Sequence, residues 1–95
     1  MSASEASVLA EVWGLVRAAR ENGVVLDEWA LASLIDAETE LEGLLDLWGL
    51  EPPDRLEPLP PARKALRRAL DLLGGLAAPP GRITRWVADA ARERS

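Results

Sequence analysis

Cysteine and histidine are both absent from this 95-residue chain. Disulfides, thiolate zinc sites and catalysis by an imidazole are thereby excluded. Phenylalanine, tyrosine and glutamine are missing too, and Asn22 is the only asparagine. Four tryptophans make up the whole aromatic inventory. β-Branched residues are few and never alternate with polar ones over a useful length, so strands are not expected. No apolar run approaches the roughly 20 residues a membrane span requires. No basic-then-apolar segment opens the chain, so a signal peptide is not expected and a cytoplasmic location is. Lys64 is the only lysine, and arginine supplies the remaining bases. That bias fits a GC-rich, bacterial type of genome.

What is present favours helix. Leucine, alanine, arginine and glutamate dominate, all of them good helix formers. A chain of this length makes one domain and buries about two thirds of the surface its unfolded form exposes. The core is therefore modest, and self-association would enlarge it.

The longest uninterrupted helical pattern runs from Asp27 to Leu50, and the rest of the chain is expected to be arranged about it. At roughly 100° per residue, Ala30, Leu34, Ala37, Leu41, Leu44, Leu45 and Trp48 fall on one side. Asp36, Glu40, Glu42 and Asp46 fall on the other. Asp27 can accept hydrogen bonds from the first turn as an N-cap, and Gly49 suits the left-handed residue that ends a helix. Trp29 and Leu47 lie off the apolar stripe. They either touch neighbouring loops or form a second apolar surface for a partner.

Elsewhere the pattern predicts three shorter helices, at about 4–22, 61–73 and 82–94, beside the long one at about 28–48. Ser2 and Glu5 have capping-box spacing, with Ser4 as an alternative cap. The first helix presents Val8, Leu9, Val12, Val16 and Ala19, with Trp13 and Leu15 on its flanks. Arg17 and Glu21 stand one turn apart, as a solvated pair would. Val24, Val25 and Leu26 read as a loop plugged into the core. Residues 51–61 contain five prolines, which helix cannot cross, so a proline-rich connector is expected, pinned by Leu56 and Leu59. Pro60 or Pro61 then opens the third helix, whose apolar face is Ala62, Leu66, Ala69, Leu70 and Leu73. Arg67 and Asp71 are spaced as an i,i+4 pair. The last helix turns Ile83, Val87 and Ala90 inward, with Trp86 alongside and Arg82, Arg85 and Arg92 outward. The expected fold is thus all-α, a single-domain bundle of four helices.

Charge is split along the chain. Residues 1–57 hold thirteen acids and three bases, while residues 58–95 hold three acids and eight bases. The halves carry −10 and +5, which sum to the net −5. Three arrangements would use this asymmetry: basic helices packed on acidic ones within one chain, the same pairing between chains, or one half meeting an outside partner.

Chemistry finds little support. Asp36/Glu40 and Glu42/Asp46 have a spacing that can hold a divalent cation, but no second acidic helix of that kind is present to complete such a site. No serine stands beside a candidate base. The glycines do not form a phosphate loop. The chain is expected to be no enzyme and to need no cofactor or metal. The leading expectation is a small non-catalytic protein–protein interaction module, self-associating (as a homodimer, for example) or docking onto a larger complex. Candidate partner-binding residues are Trp29, Leu47, Asp36, Glu40, Arg67, Arg68, Arg85 and Trp86. One alternative is a nucleic-acid-associated regulator that uses the basic C-terminal half. The long break at 74–81 argues against a helix-turn-helix, and the net negative charge against non-specific binding. Another is an acidic, nucleic-acid-mimicking inhibitor of phage type.

Overall fold

The computed structural model describes residues 2–22, 27–54 and 56–92. Four helices make the fold: α1 (Ala3–Glu21), α2 (Glu28–Leu47), α3 (Ala62–Gly74) and α4 (Gly81–Ala91). No strand occurs among the described residues. The expected all-α bundle of four helices is the observed fold.

The helix ends follow local chemistry. Ser2 caps α1 through a complete capping box: its hydroxyl accepts from the Glu5 backbone N–H at 3.2 Å, and the Glu5 carboxylate accepts from the Ser2 N–H. Asp27 caps α2 by accepting from the Ala30 N–H at 2.8 Å. At the far end Gly49 takes φ +66°, while Leu50 N–H reaches Leu45 O and Gly49 N–H reaches Asp46 O. These two bonds satisfy carbonyls that the helix itself cannot reach. Pro61 is the N-cap of α3 rather than its first residue, and the helix begins at Ala62. The last helix ends earlier than its pattern suggested, at Ala91, because Arg92 is extended (φ −63°, ψ 127°). Val24, Val25 and Leu26 lie outside the described residues.

The helices pack as a four-sided array in the order α1, α2, α4, α3. α2 and α3 therefore occupy diagonal corners. The core joins Leu9, Val12, Val16, Leu34, Leu41, Leu45, Leu66, Leu73, Ile83 and Val87, among others. The faces expected for α3 and α4 are those observed, with Ala65 added and Leu70 only half-buried.

The organising element is α1, not α2. Nine of its nineteen residues are buried, against six of twenty in α2. Val12, Trp13, Gly14, Leu15 and Val16 form a consecutive buried run. Five consecutive residues turn through more than a full helical circuit, so the middle of α1 is covered on every side. Trp13 and Leu15, expected on the flanks, are core residues at 2% and 6% exposure.

The third cover over α1, beside α2 and α3, is the proline connector. Pro53 crosses α1 at Gly14, where a Cβ would lie 3.3 Å from the Pro53 Cγ. Asn22 Nδ2–H donates to Pro60 O at 3.0 Å, fixing the connector again near the end of α1. Leu59 is half-buried, but Leu56 is exposed and does not pin the connector to the core.

Glycine substitutions separate these roles. Gly43 is exposed on α2 with nothing within 4 Å of a Cβ. Gly43→Ala should raise stability in urea by about 0.5–1 kcal/mol, because alanine favours helix. Gly14→Leu should lower it by about 1–3 kcal/mol, by forcing Pro53 off the helix.

Candidate interaction surface

The inner seam of α2 binds it to the bundle through charge as well as apolar contact. Glu38 is buried among the apolar residues of that face, and the Arg20 guanidinium from α1 reaches it through Nε and Nη2, the latter at 3.0 Å. Such a two-pronged pair is both strong and directional. Its side chains retain 34% and 11% exposure, so Arg20 is partly hydrated. The Glu38 hydrogen bond holds Arg20 above the ordinary arginine range, against the opposing effect of burial. A raised pKa contributes stability at every pH below the ordinary arginine value, and loses it only as pH rises through the raised one. Arg20 therefore stays charged across neutral pH. Nearby, the Trp13 indole N–H donates to Glu42 Oε1 at 3.2 Å, with the Arg17 guanidinium 5.2 Å from the Trp13 ring centre. Arg17 also makes the expected pair with Glu21, at 3.1 Å.

The outer face of α2 is different. Trp29 is 74% exposed and Leu47 82% exposed, so neither touches a core. Eighteen residues separate them, close to five full turns, so they share one line on the helix about 27 Å apart. Asp36 and Gly43 fall near that line, both exposed. Asp46 and Glu28 are exposed about 100° further round the outer part of the helix, and α2 carries no base at all. Ile35 adds half-exposed apolar surface beside Asp36.

The candidate residues do not converge on one spot. Trp29, Asp36 and Leu47 share the outer face of α2. Glu40 is drawn to α4, where Arg82 Nη1 donates to its carboxylate at 3.2 Å. Arg68 on α3 donates to Glu11 of α1, also at 3.2 Å. Arg67 and Lys64 are exposed on the outer side of α3, and Arg85 on that of α4. Arg67 and Asp71 form no ion pair despite their spacing. Trp86 is half-buried against the core, with Arg82 5.9 Å from its ring centre. It packs α4 against the core and keeps part of its surface exposed.

Sequence periodicity overlooked three features of α2. Ile35 lies about 120° from the stripe centre, so its exposure was readable from the helical angle. Glu38 lies about 20° beyond the edge of the stripe, next to Leu45 in angle, close enough to mark an acid that burial would oblige to find a partner. Trp48 was placed on the stripe but is 43% exposed, because it is the C-cap residue and sits past the last packed turn.

An open groove of about 540 Å³ lies between α1 and the connector, lined by Ala10, Gly14, Leu15, Pro53 and Leu56 among others. Among the described residues no three acids stand close enough to hold a metal ion. No helix among them is long and apolar enough to cross a membrane.

Core and surface should separate cleanly in denaturation experiments. Trp29→Ala and Leu47→Ala should each change stability by no more than about 0.5 kcal/mol, whereas Leu41→Ala should cost about 2–5 kcal/mol. Glu38→Ala should cost about 1–3 kcal/mol, less than a fully buried pair because Arg20 is partly exposed. The double change Arg20→Met/Glu38→Leu should recover most of that loss. Compared with known proteins, the chain matches no family, no curated sequence and no solved structure.

Proposed function

We propose that this chain is a small, non-catalytic protein–protein interaction module, and that it docks through the outer face of α2. The observation that carries this reading is the exposure of Trp29 and Leu47 on one line of a helix whose opposite side already closes the core. Large apolar side chains held out on a rigid helix are typical interface anchors, and tryptophan is prominent among them. The acids between them, Asp36 above all, give such a surface a sign and hence a preference among partners. The face belongs to a helix locked at both ends by caps and on its inner side by Arg20–Glu38. It is thus presented without any cost of ordering a loop. The proposed role is binding alone, in the cytoplasm.

A second reading is favoured by the exposed bases Lys64 and Arg67 on α3: a nucleic-acid-associated role for the basic half. It requires retention of DNA or RNA at low salt that falls steeply as salt rises. Absence of retention removes it without affecting the first reading.

Photo-crosslinking tests the first reading directly. A benzophenone amino acid placed at Trp29 or at Leu47 should give discrete protein adducts in a native lysate. The same group at the exposed Ser4 of α1 should not. Absence of adducts from both α2 positions, or the same adducts from Ser4, would contradict the proposal.

A further inference from the structure

The two most strongly charged faces of the molecule carry opposite signs and sit at opposite corners. The outer side of α2 has Glu28, Asp36 and Asp46 exposed and no base. The outer side of α3 has Arg63, Lys64, Arg67 and Arg68 exposed, with Asp71 as its only acid. α1 and α4 separate the two helices, so these faces cannot meet within one chain. Intrachain pairing takes up part of the charge: Glu11–Arg68 and Glu40–Arg82 bridge neighbouring helices. Asp36, Asp46, Lys64 and Arg67 are left outward with no ion pair among the described residues.

Apolar groups flank the charges on both faces. On α2 Asp36 and Asp46 lie along the helix between Trp29 and Leu47, which are about 27 Å apart. α3 is about 20 Å long by the same rise, and its basic row lies between Pro61 at one end and Ala77, Ala78 and Pro79 beyond the other, all four exposed. A second α2 laid along α3 would bring acids onto bases while its apolar ends overhang onto these proline and alanine surfaces.

Resting on the reading of α2 as a docking face, we infer that its partner is a second copy of this chain, bound head to tail with α2 of one copy against α3 of the next. A pair of copies then retains one unused face of each sign, the basic one on one copy and the acidic one on the other. Such a contact either closes a ring or propagates, unlike a two-fold dimer in which the same patch meets itself. The pairing supplies register and orientation through charge, and its apolar ends supply the contact that salt does not screen.

Two charge reversals provide the test. Asp36→Lys/Asp46→Lys makes both faces positive, and Lys64→Glu/Arg67→Glu makes both negative. All four side chains are exposed, and circular dichroism should show each variant folded as the parent is. By sedimentation equilibrium in about 0.05 M salt, the unaltered chain should rise above its 10.3 kDa mass with concentration. Raising salt to about 0.5 M should lower that mass towards one chain. Each variant alone should stay at one chain, and an equal mixture of the two should associate again, because each face then finds its opposite. The inference is overturned if the unaltered chain keeps the mass of one copy throughout. It is equally overturned if either variant associates as the parent does, or if the mixture fails to associate. Crosslinking from position 29 to other proteins, with the chain itself at one-copy mass, would overturn self-docking while leaving the interaction-module reading intact.

Discussion

The structure depends on enclosing the middle of α1. A helix in a small bundle ordinarily buries one stripe and leaves the rest in water. Here the run from Val12 to Val16 is buried through a complete turn. Two neighbouring helices cannot cover a cylinder, so a third cover is required, and the proline connector supplies it. That passage is possible because residue 14 has no side chain: Pro53 lies where even a methyl group would be tight. An irregular segment laid on a helix offers it few backbone hydrogen bonds. Five of the connector's residues are prolines with no N–H to satisfy, which lessens the cost of placing it there.

This enclosure explains how a short chain obtains a core with Trp13 as its single fully buried aromatic residue. Trp13 is buried with its indole N–H satisfied by Glu42, so its bulk is used without an orphaned donor. The remaining interior is chiefly leucine, valine and alanine. Alanines at positions 18, 19, 65 and 69 are among the buried residues of α1 and α3, two helices that pack against each other. With α1 taken up by its covers, α2 has only its inner side to contribute. Its outer side is thereby left exposed, which is the surface the proposed interaction role uses.

Much of the fold was legible because it rests on local chemistry. The Ser2–Glu5 box, the Asp27 cap, the glycine at position 49 and the proline break each act over a few residues, and each falls where its side chains dictate. The stripe of α4 is equally local. The centrality of α1 was not legible, since it depends on which segment crosses which helix. A five-residue buried run has no amphipathic period to detect, and Gly14 reads merely as a weak point in a helix until Pro53 is seen against it. On the surface, the helical angles put Trp29 and Leu47 off the stripe but left open whether loops would cover them; both are exposed. Trp86, placed alongside the apolar face of α4, is half-buried against the core. The charge split along the chain was plain, but its division into bridged pairs and two opposed faces required the order of the helices around the bundle.

The enclosure of α1 is most directly tested by amide hydrogen exchange, read residue by residue. Exchange of a fully covered helix requires opening of the whole domain, whereas a helix with one face in water can also open locally. The amides of residues 12–19 should therefore exchange slowest in the protein, at the rate set by global unfolding, with those of 34–45 in α2 measurably faster. Slower exchange in α2 than in α1 would contradict this account.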